Sequence, residues 1–251
     1  LKLNCDKTEL ILLASRGKLK NIAVTPQVNV GASVIDCSSG ARNLGVYFDQ
    51  HLDFKRHVNN ICRVCYFQLR QLRVIRRAVP NDLLRTLLHA FVSSRLDYCN
   101  SLLYGLPNCE LNKLQAVQNA AARLVGGLSR YDHITPIMRD NLHWLPIKYR
   151  VDFKIATLTY KCLNHMVPNY LSEMCQLVSS SEGLSRNRSA ARGDLISPAW
   201  NTVTFGQRHF QYAAAVVWNN IPLNIRQKQS LISFRKELKT YLFGLSYFSE
   251  Y

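Results

Sequence analysis

Two carboxylates, Asp49 and Asp53, stand four residues apart in "ARNLGVYFDQHLDF" (Ala41–Phe54), just after an apolar stretch that ends at Phe48. A metal-dependent nucleotidyl transferase needs carboxylates that converge on two divalent ions, to activate the attacking oxygen and stabilise the leaving one. At a strand end, however, Asp commonly bonds its own backbone two residues on and fixes a turn. Asp53 also stands where it could cap a following helix. The chain has only 16 Asp plus Glu, and no tight acidic pair lies in an apolar β context. Both residues are therefore read as shaping a turn.

The pair Cys62 and Cys65 in "CRVC" has the spacing of half a zinc site. Such a site takes four ligands, usually from a second pair. No second CxxC or HxxxH exists, His165 near Cys162 is a weak complement, and both cysteines fall on the apolar face of a helical pattern. They are read as packed thiols. "GGLSR" (Gly126–Arg130) lacks the spacing and the Lys of a phosphate loop. His143 in "LHWLP" is read as a packing or hydrogen-bonding residue beside Trp144. No catalytic residue and no metal ligand is assigned.

The basic residues are more informative. Arg56, Arg63, Arg70 and Arg77 recur every seven residues, with Arg73 at the border of the face they define. Seven residues are close to two helical turns, so the four guanidiniums line one side. Val58, Cys62, Cys65, Leu69 and Leu72 line the opposite side. Ordinary solvated helix faces mix both signs, yet no Asp or Glu occurs from Lys55 to Asn81. The planar guanidinium fork suits phosphate oxygens. These five arginines are the expected nucleic-acid contacts. In the last segment, Trp200, Phe205, Phe210, Tyr212 and Trp218 are interleaved with basic residues. Stacking on bases is one use for them. The four-residue spacing of Phe210, Ala214 and Trp218 favours core.

The elements that must position these residues divide by pattern. Residues 1–54 read as strands and turns: "ELILLAS", "IAVTPQVNVGASVI" and "NLGVYF", the last with Gly45 allowing a bulge or close backbone approach. Residues 55–176 read as helical. The first helix ends at Pro80 and the second is capped by Asn81 or Asp82 and stops near Gly105–Pro107. A third is closed by Gly126–Gly127, Pro136 sits in the first turn of a short one, and a long one is bounded by Pro146 and Pro168. Residues 177–193, "LVSSSEGLSRNRSAARG", are polar, small and basic, and read as a flexible linker. Residues 194–251 read as a small α+β unit with helices around Arg208–Asn219 and Leu231–Phe243. The fold class is thus mainly α, with a small β-hairpin region at the start.

Composition bounds the function. In 251 residues, 32 Lys plus Arg oppose 16 Asp plus Glu, a formal net charge of +16, which makes nucleic acid the default partner and an acidic membrane surface its competitor. No apolar run approaches the roughly 18 residues that span a bilayer. No charged leader runs into an apolar block, and eight scattered Cys read as reduced thiols. An intracellular protein, nuclear or cytoplasmic, is expected. The chain opens without Met, as a fragment would.

Six blocks occur in order: "LKLNCDKTELI", "RNLGVYFDQHLDFKRHV", "LLHAFVSSRLDYCNSLLYGLP", "LNKLQAVQNAAARLV", "HITPIMRDNLHWLPIKYRVDFKI" and "AAAVVWNNIPLNIR". Together they resemble the carboxy-terminal part of the reverse transcriptase of non-LTR retrotransposons, in the Jockey-like group of LINE elements. The resemblance covers nearly the whole chain. It implies that "LKLNCDKTE" is the last palm segment and that "NLGVYFDQHLDF" is the hairpin gripping the primer, with Leu44, Gly45 and Val46 as primer-grip-like residues. The helices that follow would be the thumb and the region beyond. The catalytic Asp-Asp box, and the Mg it holds, would lie upstream of Leu1, so no cofactor is expected in this chain. Three readings follow: a catalytically incomplete fragment that holds template–primer or element RNA, the tail of a complete RNA-directed DNA polymerase, or a decayed or domesticated interaction module.

Overall fold

The computed structural model describes residues 4, 7–22, 26–31, 33–180, 188–200, 202 and 205–248. The chain is mainly α-helical, with five short strands among the described residues. Its contacts divide it into Leu1–Val64 and Cys65–Tyr251.

The first unit opens with β1 (Leu10–Ile11) and α1 (Arg16–Lys20). "ELILLAS" is therefore a strand for only two residues. Ser15 ends it by accepting a hydrogen bond from the Lys18 N–H, which caps α1. β2 (Gln27–Val30) pairs antiparallel with β3 (Ser33–Ser38), and β1 pairs parallel with β3 on its other side. β4 (Gly40–Asn43) and β5 (Val46–Asp49) form a hairpin whose register runs from Gly40 opposite Asp49 to Asn43 opposite Val46. "NLGVYF" is thus a turn and a strand. Leu44 (φ 46°) and Gly45 (φ 85°) are the two turn residues. Positive φ at both is the two-residue turn whose twist matches a hairpin. Gly45 supplies the hairpin turn, not a bulge.

α2 (Lys55–Ile75) is one uninterrupted helix, and the division between the units falls inside it. It stops five residues before Pro80. The second unit continues with α3 (Asn81–Leu88), a π-turn at His89–Ser93 and α4 (Ser94–Asp97), which run on as one helix. Pro80, not Asn81 or Asp82, holds the N-cap position, with no side-chain cap. The helix ends at Asp97 because Tyr98 turns extended and Cys99 takes φ 52°. Gly105 lies in the turn that follows. α5 (Asn108–Gly126) closes on Gly127 at φ 64°, a left-handed cap that glycine adopts without strain. A π-turn at Ile137–Asn141 follows Pro136.

α6 (Ile147–Leu163) is the central helix, followed by α7 (Asn169–Ser172), α8 (Arg188–Ala191), α9 (Phe210–Asn219), α10 (Leu223–Arg226) and α11 (Leu231–Tyr247). α6, α9 and α11 share one core. In it Tyr160 stacks on Phe234 at 4.3 Å, Trp218 lies 5.9 Å from Phe234, and Ala214, Leu238 and Leu242 are buried. Phe210 packs against this core, so the Phe210–Ala214–Trp218 face is apolar packing. Residues of 194–248 therefore complete the core of the long helix. Of the expected linker, residues 181–187 lie outside the described ones. Its flanks are joined by a bridge between Leu177 and Leu195.

Candidate nucleic-acid interface

Asp49 ends β5, and its carboxylate accepts hydrogen bonds from the backbone N–H groups of His51 (3.1 Å), Asp53 (2.9 Å) and Phe54 (2.7 Å). Leu52 and Phe54 both carry positive φ, 50° and 54°. A residue with a Cβ holds such a conformation only where its surroundings over-determine it. The Asp49 carboxylate does that here. Phe54, buried against Phe48, is the residue whose carbonyl accepts the first helical bond, from Val58. The N-cap position therefore falls one residue after Asp53. Asp53 bonds the Lys55 N–H and forms long ion pairs with Arg16 (3.5 Å) and Lys55 (3.7 Å).

The five arginines singled out by spacing are all exposed, but their neighbours differ. Arg56 lies over the Tyr47 ring at 4.7 Å, and Arg42 approaches the same ring at 5.3 Å. This places two guanidiniums on the hairpin, near the Leu44–Gly45 turn where Leu44 is 83% exposed. Arg63 bonds the Asn60 side chain. His57, close by on α2, is buried with Nδ1 unpartnered, and burial lowers its pKa, so its ring is neutral at pH 7. In the second unit, Arg70 and Arg77 stand exposed. Phe67, 49% exposed, and Val74, 82% exposed, occupy the same helix face. The stripe is thus a mixed one, with an aromatic side chain among the cations.

Arg73 joins a built concavity. α2 and α5 enclose a groove of about 750 Å³ lined by Tyr66, Arg73, Arg76, Asn119, Arg123 and Arg130. No carboxylate lines it. Arg76 is anchored: its Nε donates to the Leu124 carbonyl at 2.9 Å and a terminal nitrogen donates to the Val125 carbonyl at 3.3 Å. It thereby satisfies carbonyls that the end of α5 leaves open. Arg123 keeps its Nε buried and unpartnered. Four guanidiniums sharing a groove without a counter-charge repel one another, and an anion in the groove would relieve that. Heptad spacing does not point to Arg76, Arg123 or Arg130. The visible signal was a lone cation in the small-residue run "AAARLVGG".

The cysteine readings resolve separately. Cys65 is buried and Cys62 half-buried. Cys162 shares a hydrogen bond with Cys175, not with His165, which is exposed. Cys5 lies outside the described residues. Among the described residues no three His, Cys, Asp or Glu gather as metal ligands, and no helix is long and apolar enough to cross a membrane. The His143 ring lies tilted to Phe243 at 6.1 Å, and it is His89 that meets Trp144, edge-on at 5.7 Å.

No family profile matches the chain, and no solved structure matches it. Over 129 residues it is 29% identical to a protein of Drosophila melanogaster named "Probable RNA-directed DNA polymerase from transposon BS". That match covers 48% of this chain and 14% of the length of the Drosophila protein. The likeness supports a relationship to a retrotransposon reverse transcriptase.

Proposed function

We propose that this chain is the nucleic-acid-holding, carboxy-terminal part of a reverse transcriptase of the non-LTR, Jockey-like LINE kind. The observation that carries the reading is the groove of Arg73, Arg76, Arg123 and Arg130 with no carboxylate in its lining. Its guanidiniums contact phosphates, and Tyr66 offers a ring on which an unpaired base stacks. Arg56, Arg63, Arg70 and Arg77 add sequence-independent contacts along α2. Leu44 and Gly45, at the exposed hairpin turn, and Val46, buried at the start of β5, take the primer-grip-like role. The contacts are to backbone and base faces, so template–primer and element RNA are held without sequence readout. The chain itself is assigned no catalytic residue and no metal.

The test is affinity for an unstructured single-stranded RNA at about 0.1 M salt. Arg73→Gln with Arg130→Gln should weaken binding roughly tenfold or more, as expected for two lost phosphate contacts. Unchanged affinity would sink the reading. The name of the Drosophila relative favours a second reading, in which this chain is the tail of a complete RNA-directed DNA polymerase. A transcript whose reading frame continues upstream through an Asp-Asp box would establish it.

A further inference from the structure

We propose that a second cavity, formed by α4, the Leu142–Leu145 loop, α6 and α11, binds a nucleotide: a phosphate joined to an aromatic base. The cavity measures about 460 Å³, within the range of small-molecule sites. It shares no residue with the groove of α2 and α5.

Three features define the ligand. The first is charge. Arg150, Lys154, Arg235 and Lys239 line the cavity against the single carboxylate of Asp97. Arg150 neutralises that carboxylate with two bonds of 2.7 and 2.6 Å and also donates to the Leu145 carbonyl. Lys154, Arg235 and Lys239 have no ion-pair partner among the described residues, and they leave the cavity positive. The second is aromatic surface. Trp144 and Phe153 line the same cavity, Arg235 lies over Phe153 at 5.8 Å, and the His89 ring stands edge-on to Trp144. The third is an unmet acceptor. Asn100 is 4% exposed and lines the cavity; its Nδ2 donates to the Arg150 carbonyl, and its Oδ1 has no partner. A buried amide oxygen left unpaired is costly, and a ligand N–H or O–H supplies what it lacks.

A plain anion would use the cations and leave the rings and the Asn100 oxygen idle. An apolar ligand would bury three free cations. A nucleotide uses all three: phosphate on Lys154, Arg235 and Lys239, base against ring and guanidinium faces, and a base amine or sugar hydroxyl to Asn100. The same chemistry is presented by a free mononucleotide and by the phosphorylated end of a strand. Near the cations, His89 has its pKa lowered by burial and by Arg150 and Lys239, against the opposing effect of Asp97. It is therefore neutral at pH 7 and adds no charge.

The experiment is calorimetric titration of the full chain with each 5′-nucleoside monophosphate, with inorganic phosphate, and with a short RNA carrying or lacking a 5′-phosphate. At least one mononucleotide should bind in a 1:1 ratio and at least tenfold tighter than inorganic phosphate. Arg235→Gln with Lys239→Gln, both exposed positions, should weaken it at least tenfold, and Lys154→Gln should weaken it separately. Arg73→Gln with Arg130→Gln should leave it unchanged, which separates this site from the groove. If the 5′-phosphorylated strand outbinds its unphosphorylated twin and loses that advantage in the Arg235/Lys239 variant, the source is a strand end. If the two strands bind equally while the mononucleotide holds, the source is a free nucleotide. Absence of saturable nucleotide binding, phosphate binding equal to nucleotide binding, or indifference to the Arg235/Lys239 substitution would overturn the proposal.

Discussion

The two units of the chain are held together by different forces. In the first, the described buried apolar side chains are Val46, Phe54, Val58 and Ile61, and β2 is largely solvent-facing, as is the first part of β3. Its turns are fixed instead by polar groups: the Asp49 carboxylate on three N–H groups, Ser38 on the carbonyls of Leu10 and Gly40, and Glu9 on the Arg42 N–H. In the second, α6, α9 and α11 close on a continuous apolar core around Tyr160, Trp218 and Phe234. A small unit with few buried side chains has little hydrophobic energy to set against chain entropy, so each polar anchor counts for more. The groove and the cavity, both rich in unpaired cations, lie on the unit with the apolar core. A well-packed scaffold can hold like charges together where a thin one would spread them apart.

Three substitutions probe this contrast. Phe234→Ala removes the ring between Tyr160 and Trp218 and should cost about 3–5 kcal/mol, read as a lower denaturation midpoint with slower-exchanging amides lost across α6, α9 and α11. A cost under about 1 kcal/mol would mean that the shared core is not what holds these helices.

Burial can also work against the second unit. Asp152 of α6 is pushed up to about 6 by burial, offset in part by Lys148. Below the ordinary carboxylate range it is protonated both folded and unfolded. Between there and pH 6 the folded chain binds the extra proton, so stability falls as pH rises through that window. Asp152→Asn should remove up to about 3 kcal/mol of that loss, at ~1.4 kcal/mol per unit. The check is the melting temperature of both proteins at pH 4 and pH 7, and parallel pH profiles would contradict the assignment.

In the first unit, Asp49→Ala deprives three N–H groups of their acceptor and should cost about 1–3 kcal/mol. The effect should stay local, as faster hydrogen exchange at residues 51–58. Faster exchange in α6 should not follow, and a global loss would mean that the first unit's turn supports the second unit's core.

What could be read from the sequence follows the same divide. The helices of the second unit were legible because Val117, Ala121 and Val125, or Phe210, Ala214 and Trp218, keep a period that burial on one face imposes. The first unit was less so. "ELILLAS" has strand composition, yet its polar end let Ser15 start a helix after two residues of pairing. The Leu44–Gly45 turn is disguised by Leu, which seldom takes positive φ. The arginine stripe was visible in its heptads. The groove was not, because Arg73, Arg76, Arg123 and Arg130 meet only where α2 and α5 pack, and spacing within one helix carries no record of a second.

The groove of the second unit is proposed to hold nucleic acid through its phosphates. Its most direct test is the salt dependence of single-stranded RNA affinity, for the wild type and for Arg73→Gln with Arg130→Gln. Each phosphate contact adds about 0.7 to the slope of log affinity against log salt for single strands. The slope should be shallower by about 1.4 in the variant, with the melting temperature unchanged. Equal slopes would contradict it, and would move the binding surface away from the groove.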